Sequence, residues 1–269
     1  MAPKEQHLAL SSGVGLAGFA VTNFWDYGWE AIDCFKEEII DSVIKPTKVT
    51  AIHHYLSFFQ DIYEEIDTMS KNGDDIRQVY EFIVRTLNEV NLSSDLPEPD
   101  FDKCSDQHGH FDCGCTEVIE KWIDYASDNS TKINDLIVHS AFQFIFQDRN
   151  FLHDFHFKLS ELIEKEMNYI MRKYPECLTQ KKKLRRQNFP VWLKQAVFYR
   201  DKGTCVICRC DLSNLIRSQN QIHIDHIIPL NVNGTNDASN MQLLCDSCNT
   251  SKGDRSTETS SINVPFWNL

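Results

Sequence analysis

Two cysteine pairs, Cys205-Val-Ile-Cys208 and Cys245-Asp-Ser-Cys248, each set two thiolates about one tetrahedral edge apart. Brought together, the two knuckles make a closed four-sulfur site of the kind that holds structural Zn2+. Between the pairs lie Asp225-His226 and Asn240, and just past them Asn249 and Lys252. These residue types suit phosphodiester hydrolysis at neutral pH. An imidazole titrates near neutrality and can take the proton of an attacking water. A carboxylate and an amide oxygen, Asp225 and Asn249, suit a hard catalytic ion, Mg2+ or Mn2+, whose other positions are filled by water and phosphate. Lys252 shares a helix face with Asn249 and is a candidate for neutralising a neighbouring phosphate; the ordinary alternative is a solvated helix lysine.

These side chains need a scaffold that makes them converge. The long segment between the pairs implies that the metal clamps a folded excursion. Gln221 to Ile228 is β-branched and alternating, Pro229 stops it, and Asn233-Gly234 is a hairpin turn signal, with a second arm reaching Asn240. From Asn240, the residues Met241, Leu243, Leu244 and Cys248 fit a short helix carrying the second knuckle near its middle. In a flat strand Asp225 and His226 point to opposite faces, so serving one phosphate requires a bend there. His223 lies on the strand face of Asp225; it is a candidate for an added ligand or substrate contact, with a strand histidine at the rim as the preferred reading. Cys210 follows the first knuckle closely and is read as a free thiol.

The order of Cys pair, Asp-His, Asn-x-x-Leu-Leu-Cys, x-x-Cys-Asn and Lys-Gly over residues 189 to 254 resembles the HNH endonucleases of the zinc-bound ββα-metal type. The resemblance implies His226 as general base, Asp225 and Asn249 as the pair that holds one divalent ion, and Asn240 as the residue that steadies the loop aiming His226. The family often has histidine at the position of Asn249. It implies a nuclease acting on DNA, with RNA also open because backbone chemistry does not select the sugar. Another class remains open: a non-catalytic zinc-stapled adaptor or nucleic-acid-binding module, since most four-cysteine knuckles are structural or binding elements. The presence of Asp225-His226 and Asn249 in order favours the nuclease.

Charge divides the chain. From Thr179 onward there are 12 Lys and Arg against 7 Asp and Glu, a net of +5, whereas residues 1 to 178 carry 15 against 32, a net of -17. The basic part holds the motif, and an acidic surface repels a polyanion. Residues 1–178 are therefore expected to be a regulatory, partner-binding or self-associating domain, and residues 179–269 the nuclease domain. Lys181, Lys182, Lys183, Arg185 and Arg186 join them; the run reads either as a solvated linker or, through Lys182 and Arg185, as a phosphate contact.

Helical spacing dominates the acidic part. It covers Phe24 to Ile44, Val49 to Met69 up to Asn72-Gly73, Ile76 to Val90, Val118 to Tyr125, Ile133 to Phe146 and Phe151 to Tyr174. Phe189 to Tyr199 reads as a lead-in helix closed by Arg200. The expected fold is mainly α, a helical domain followed by a small α+β zinc-stapled ββα module. The apolar run from Leu8 to Phe24 is interrupted by Ser, Gly, Thr22 and Asn23, which favours a buried helix or packed arm over a membrane segment. Ten cysteines without a secretory leader point to a reducing cytoplasm. Cys104, His108, His110, Cys113 and Cys115 crowd one turn-rich stretch and offer ligands for a second metal, but their spacing matches no ordinary zinc finger, so a loop with partly buried thiols is the preferred reading. The polar tail ends in Val264-Pro265-Phe266-Trp267, which can fold back or dock on a partner. The architecture suggests an effector of a prokaryotic defence or restriction system.

Overall fold

Apolar residues at helical spacing do build helices over most of the chain, with a two-stranded sheet near the C-terminus. The computed structural model describes residues 10–71, 75–104, 110, 113–213 and 221–260. The Asn72-Gly73 turn, His108 and the tail from 261 onward lie outside the described residues. The helices are α1 (Leu10–Thr22), α2 (Phe24–Cys34), α3 (Lys36–Ile44), α4 (Ala51–Ser57), α5 (Ile62–Lys71), α6 (Ile76–Glu89), α7 (Gly114–Asp128), α8 (Ser130–Ile145), α9 (Arg149–Lys165), α10 (Met167–Lys173) and α11 (Val191–Arg200). Strands β1 (Ile222–His226) and β2 (Met241–Cys245) follow, then α12 (Asp246–Lys252). Among the described residues no helix is long and apolar enough to cross a membrane.

Three expected helices are each divided in two. Phe35 leaves the helical region at φ -110° and ψ 31°, and Glu166 does so at φ -92° and ψ 11°. The third break is the segment 58–61 between α4 and α5. A break of one to four residues hardly shifts the apolar phase, so periodicity reads through it.

The chain forms two compact units, residues 1–27 with 55–144 and residues 28–54 with 145–269. Compactness and charge thus divide the chain at different places. In the first unit α6 packs on α7, α5 on both, and α1 on α6. The Glu89 carboxylate accepts from the Ser12 backbone N–H (3.0 Å) and hydroxyl (2.8 Å), satisfying orphan donors at the start of α1. Gly13 lets α1 approach α8 so closely that a Cβ there would overlap Ser140.

In the second unit β1 and β2 are antiparallel, with Ile222 opposite Cys245, Asp225 opposite Gln242 and His226 opposite Met241. The stretch from Met241 is therefore a strand where a helix was expected. A short apolar run fits either period, and pairing with β1 decides it. The helix starts only at Asp246, with Cys245 as its N-cap. Leu193 and Val197 of α11, together with Val206, Leu212, Met241, Leu243 and Leu244, form the core beneath the hairpin.

A buried ion cluster anchors β2 from behind. Asp201 accepts from Arg149 Nη1 at 2.9 Å and from Arg200 Nε and Nη2 at 2.8 and 2.9 Å, and it also accepts the Leu243 N–H at 2.9 Å. Arg200 is therefore a core residue that also donates to the Met241 carbonyl, well beyond the helix-end charge expected of it. Removing one partner of such a cluster leaves uncompensated buried charge. Asp201→Ala is expected to lower stability by about 3–5 kcal/mol, read as a fall in the urea midpoint; a midpoint within error of the native chain would refute the anchoring role.

Candidate active site

Asp225 and His226 end β1, and both line one cleft of about 780 Å³ together with Asn249 of α12. The strand stops at His226, where the chain turns through Ile227 and Ile228 to Pro229, which supplies the expected bend. Asn240 fixes that turn. Its side chain accepts from the Ile228 N–H at 2.9 Å and donates to the carbonyls of Ile228 (3.0 Å) and Thr235 (2.9 Å), while its own carbonyl accepts from Ile227 at 2.7 Å. Gly234 is required in the same turn, because a Cβ there would overlap the Ile228 carbonyl oxygen.

His226 is buried, with its ring 5.6 Å from that of Phe189. Burial, and after it the Arg186 charge, push its pKa down to about 4, so the ring is neutral near pH 7. Its Nε2 lies 3.4 Å from Asn236 Oδ1. The Asn236 amide cannot be flipped without cost, because its Nδ2 donates to the carbonyls of Ile44 and Arg185, both at 3.0 Å. Oδ1 therefore faces the ring, which places the proton on Nε2 and leaves Nδ1 as the basic nitrogen. Asn236 is a site residue that the sequence reading missed. It lay in a polar run, Asn233 to Asn240, taken for a turn and strand arm, whereas Thr235, Asn236, Asp237, Ser239 and Asn240 are all fully buried. Asp237 accepts from the Ala51 N–H at 2.7 Å, and so ties this run to the start of α4.

Lys252 corrects an expectation. Its side chain is fully buried, and Nζ lies 2.9 Å from both Asp225 Oδ2 and the His226 carbonyl. It is thus an internal brace joining α12 to β1, rather than a surface contact for phosphate. The basic run is corrected too. It forms a tight hairpin, with Leu178 bridged to Leu184 and the Thr179 N–H on the Lys183 carbonyl at 2.8 Å. Lys181, Lys183 and Arg186 line the cleft. The expected contacts do not: Lys182 sits at the turn with φ 55°, and Arg185 turns back to the Leu178 carbonyl at 3.1 Å. His223 lines a separate groove and approaches Asp246 at 3.2 Å.

Five cysteines gather behind the cleft. The sulfurs of Cys205, Cys208, Cys210 and Cys245 lie within 4.8 Å of one another, so Cys210, a free cysteine, stands close beside the knuckles. Cys248 also bonds to Cys208, Cys245 and Cys205, which with burial push its thiol up. The Cys208 and Cys245 sulfurs are 3.7 Å apart, matching a tetrahedral edge of about 3.8 Å for Zn–S bonds of about 2.3 Å. Burial pushes the Cys205 thiol up, and backbone N–H bonds from Cys208, Cys245 and Ile207 to its sulfur oppose that shift. The donor set therefore fits zinc. For a catalytic ion, Asp225 and Asn249 offer hard oxygen donors in a cleft roomy enough for waters and a phosphate.

Residues 205–255 match the HNH endonuclease family model. The HNH match covers the cysteine cluster, β1, β2 and α12, and it supports a nuclease hydrolase that binds nucleic acid, while the cysteine grouping within it suits a metal such as zinc. Comparison with curated proteins and with solved structures finds no match.

Behind the HNH hairpin sits His156 of α9, fully buried with Nε2 2.9 Å from Ser239 Oγ. Burial, and after it the neighbouring His226, lower its pKa to about 3. In the unfolded chain a histidine titrates near 6.5, so below that pH the unfolded state takes the proton first. Stability from His156 is full above pH 6.5 and falls as the pH drops toward 3, by about 2 kcal/mol at pH 5. Urea melts at pH 7 and pH 5 are expected to show that loss in the native chain beyond the loss in His156→Gln, which keeps a partner for Ser239 but gains no proton. Equal losses would contradict it.

Proposed function

We propose that this protein is a metal-dependent endonuclease that hydrolyses phosphodiester bonds, with DNA as its substrate. The observation that carries the reading is a neutral, buried imidazole with Nδ1 as its basic nitrogen, in the same cleft as Asp225 and Asn249 and beside the cationic side chains of Lys181, Lys183 and Arg186. Those cations attract the polyanion and hold the backbone at the cleft. His226 Nδ1 takes the proton of a water placed in line with the phosphorus, and the resulting imidazolium is steadied by the Asp225 carboxylate next in the chain. Asn240 and Asn236 act as positioning residues, holding the turn and the ring tautomer. Asp225 and Asn249 would hold Mg2+ or Mn2+, which when bound stabilises charge on the phosphate and the leaving oxygen. Lys252 already pairs with one oxygen of Asp225, so a bound ion shares that carboxylate with an ammonium.

The zinc ligands in this reading are Cys205, Cys208, Cys245 and Cys248, with Cys210 packed against them. We assign the acidic helical residues 1–178 a regulatory role through a protein partner or self-association, in a cytoplasmic system such as prokaryotic defence or restriction. Their charge supports it, because an acidic surface does not grip nucleic acid.

The test is cleavage of supercoiled plasmid, single-stranded DNA and RNA by the full chain with Mg2+, Mn2+ or chelator, beside Asp225→Asn. Metal-dependent nicking of plasmid, lost in the variant, is expected. Binding of DNA with no cleavage under any metal would instead favour a zinc-stapled adaptor, for which the Lys252–Asp225 pair would be the resting arrangement.

A further inference from the structure

We propose that Cys104, His110, Cys113 and Cys115 form a second, structural zinc site in the helical unit. The sequence spacing favours a loop with partly buried thiols over a second metal site, but the fold brings the four ligand atoms within 4.8 Å of one another. A zinc tetrahedron with sulfur and nitrogen ligands has edges of about 3.3–3.8 Å, so closing the site takes shifts of about 1 Å or less. One edge is already in place, with Cys113 Sγ 3.7 Å from His110 Nδ1.

His110 is held for this geometry. It is buried, its backbone lies in the left-handed region at φ 55°, and its carbonyl accepts from the Thr116 hydroxyl at 2.6 Å. Few non-glycine residues adopt that conformation, and histidine does so more readily than most. Phe101 supplies a wall, edge-on to the imidazole at 5.1 Å, and Tyr80 and Trp122 continue the aromatic cluster. Cys113 is the N-cap of α7 and Cys115 lies in its first turn, so both sulfurs are placed at the start of that helix.

The fold also has a use for such a staple. Between α6 and α7 runs a long connection, residues 90–113, whose only described helical piece is the 3-10 turn Phe101–Lys103. Apart from the cysteine cluster it is tied down by bonds such as Trp122 Nε1 to the Pro97 carbonyl at 2.8 Å and Tyr125 to the Ser93 carbonyl at 2.8 Å. Its described stretch 90–104 is irregular apart from that turn, and long irregular connections inside a compact unit are uncommon without an anchor. A disulfide would use two of the three sulfurs and leave His110 without a role. This site belongs to a different compact unit from the cysteines of the HNH match, so each can be emptied separately.

The experiment is zinc content per chain in the full-length protein, with X-ray absorption at the zinc edge. The native chain is expected to hold one zinc more than His110→Ala or Cys115→Ser, and His110→Cys, which offers a thiolate instead, is expected to keep it. The native zinc shell should average roughly seven sulfurs to one nitrogen, a result that needs no variant to fold. An all-sulfur shell, unchanged zinc content in His110→Ala, or a disulfide among Cys104, Cys113 and Cys115 found by alkylation and mass spectrometry would overturn the site.

Discussion

His226→Ala is expected to lower plasmid cleavage by about two to four orders of magnitude, with the metal requirement and DNA affinity unchanged. The size follows from the role. A general base contributes roughly that factor when its proton-accepting atom is correctly placed and unprotonated at the working pH. Burial meets the second condition by holding the ring neutral, and the Asn236 carboxamide meets the first by claiming Nε2. Affinity should be spared because the cations that line the cleft, Lys181, Lys183 and Arg186, are untouched. Truncating a buried ring also costs stability, so the rate must be read beside a thermal melt. Zinc content serves as the check that the module remains assembled. A variant that stays folded and cuts like the native chain would remove His226 from the chemistry.

The neighbouring Asn236 shows why this site was only partly legible in the sequence. Asp225, His226, Asn240 and Asn249 stand out because their types and order are rare together and each implies a chemical task. Asn236 carries no such signal. It matters because its Nδ2 is pinned by Ile44 and Arg185, residues far away in the chain, and only tertiary structure reveals that. The same holds for Asp201, whose partner Arg149 lies 52 residues earlier. Local pattern gave the helices and the first strand, since period is a local property. It misread Met241 to Cys245, where five residues, four of them apolar, have too few turns to separate the two periods and the partner strand decides. Lys252 was misplaced for a related reason: a helix lysine is usually solvated, and its burial depends on a carboxylate supplied by β1.

Loss of the sulfur staple should have the other large effect. Cys245→Ser is expected to release zinc from the HNH module and to unfold it, because structural zinc contributes on the order of 10 kcal/mol to small modules of this kind. Cys245 is the residue where three parts meet. It ends β2 opposite Ile222, caps α12 by accepting the Cys248 N–H on its sulfur at 3.5 Å, and sits 3.7 Å from the Cys208 sulfur. Without the metal, four or more thiols crowd a small volume with nothing to bridge them. The consequence reaches the cleft, because α12 carries Asn249 and Lys252, and Lys252 is what joins that helix to Asp225 and the His226 carbonyl. Zinc content, a melt of the full chain and proteolysis around residues 205–255 measure it. Retained zinc with an unchanged melt would refute the staple. The paired variants assign the fourth ligand: Cys248→Ser should lose zinc and Cys210→Ser should keep it, with the reverse outcome placing Cys210 in the tetrahedron. A strong chelator should likewise abolish cleavage even when Mg2+ is restored afterwards, since Mg2+ prefers oxygen ligands and cannot take the place of zinc among thiolates.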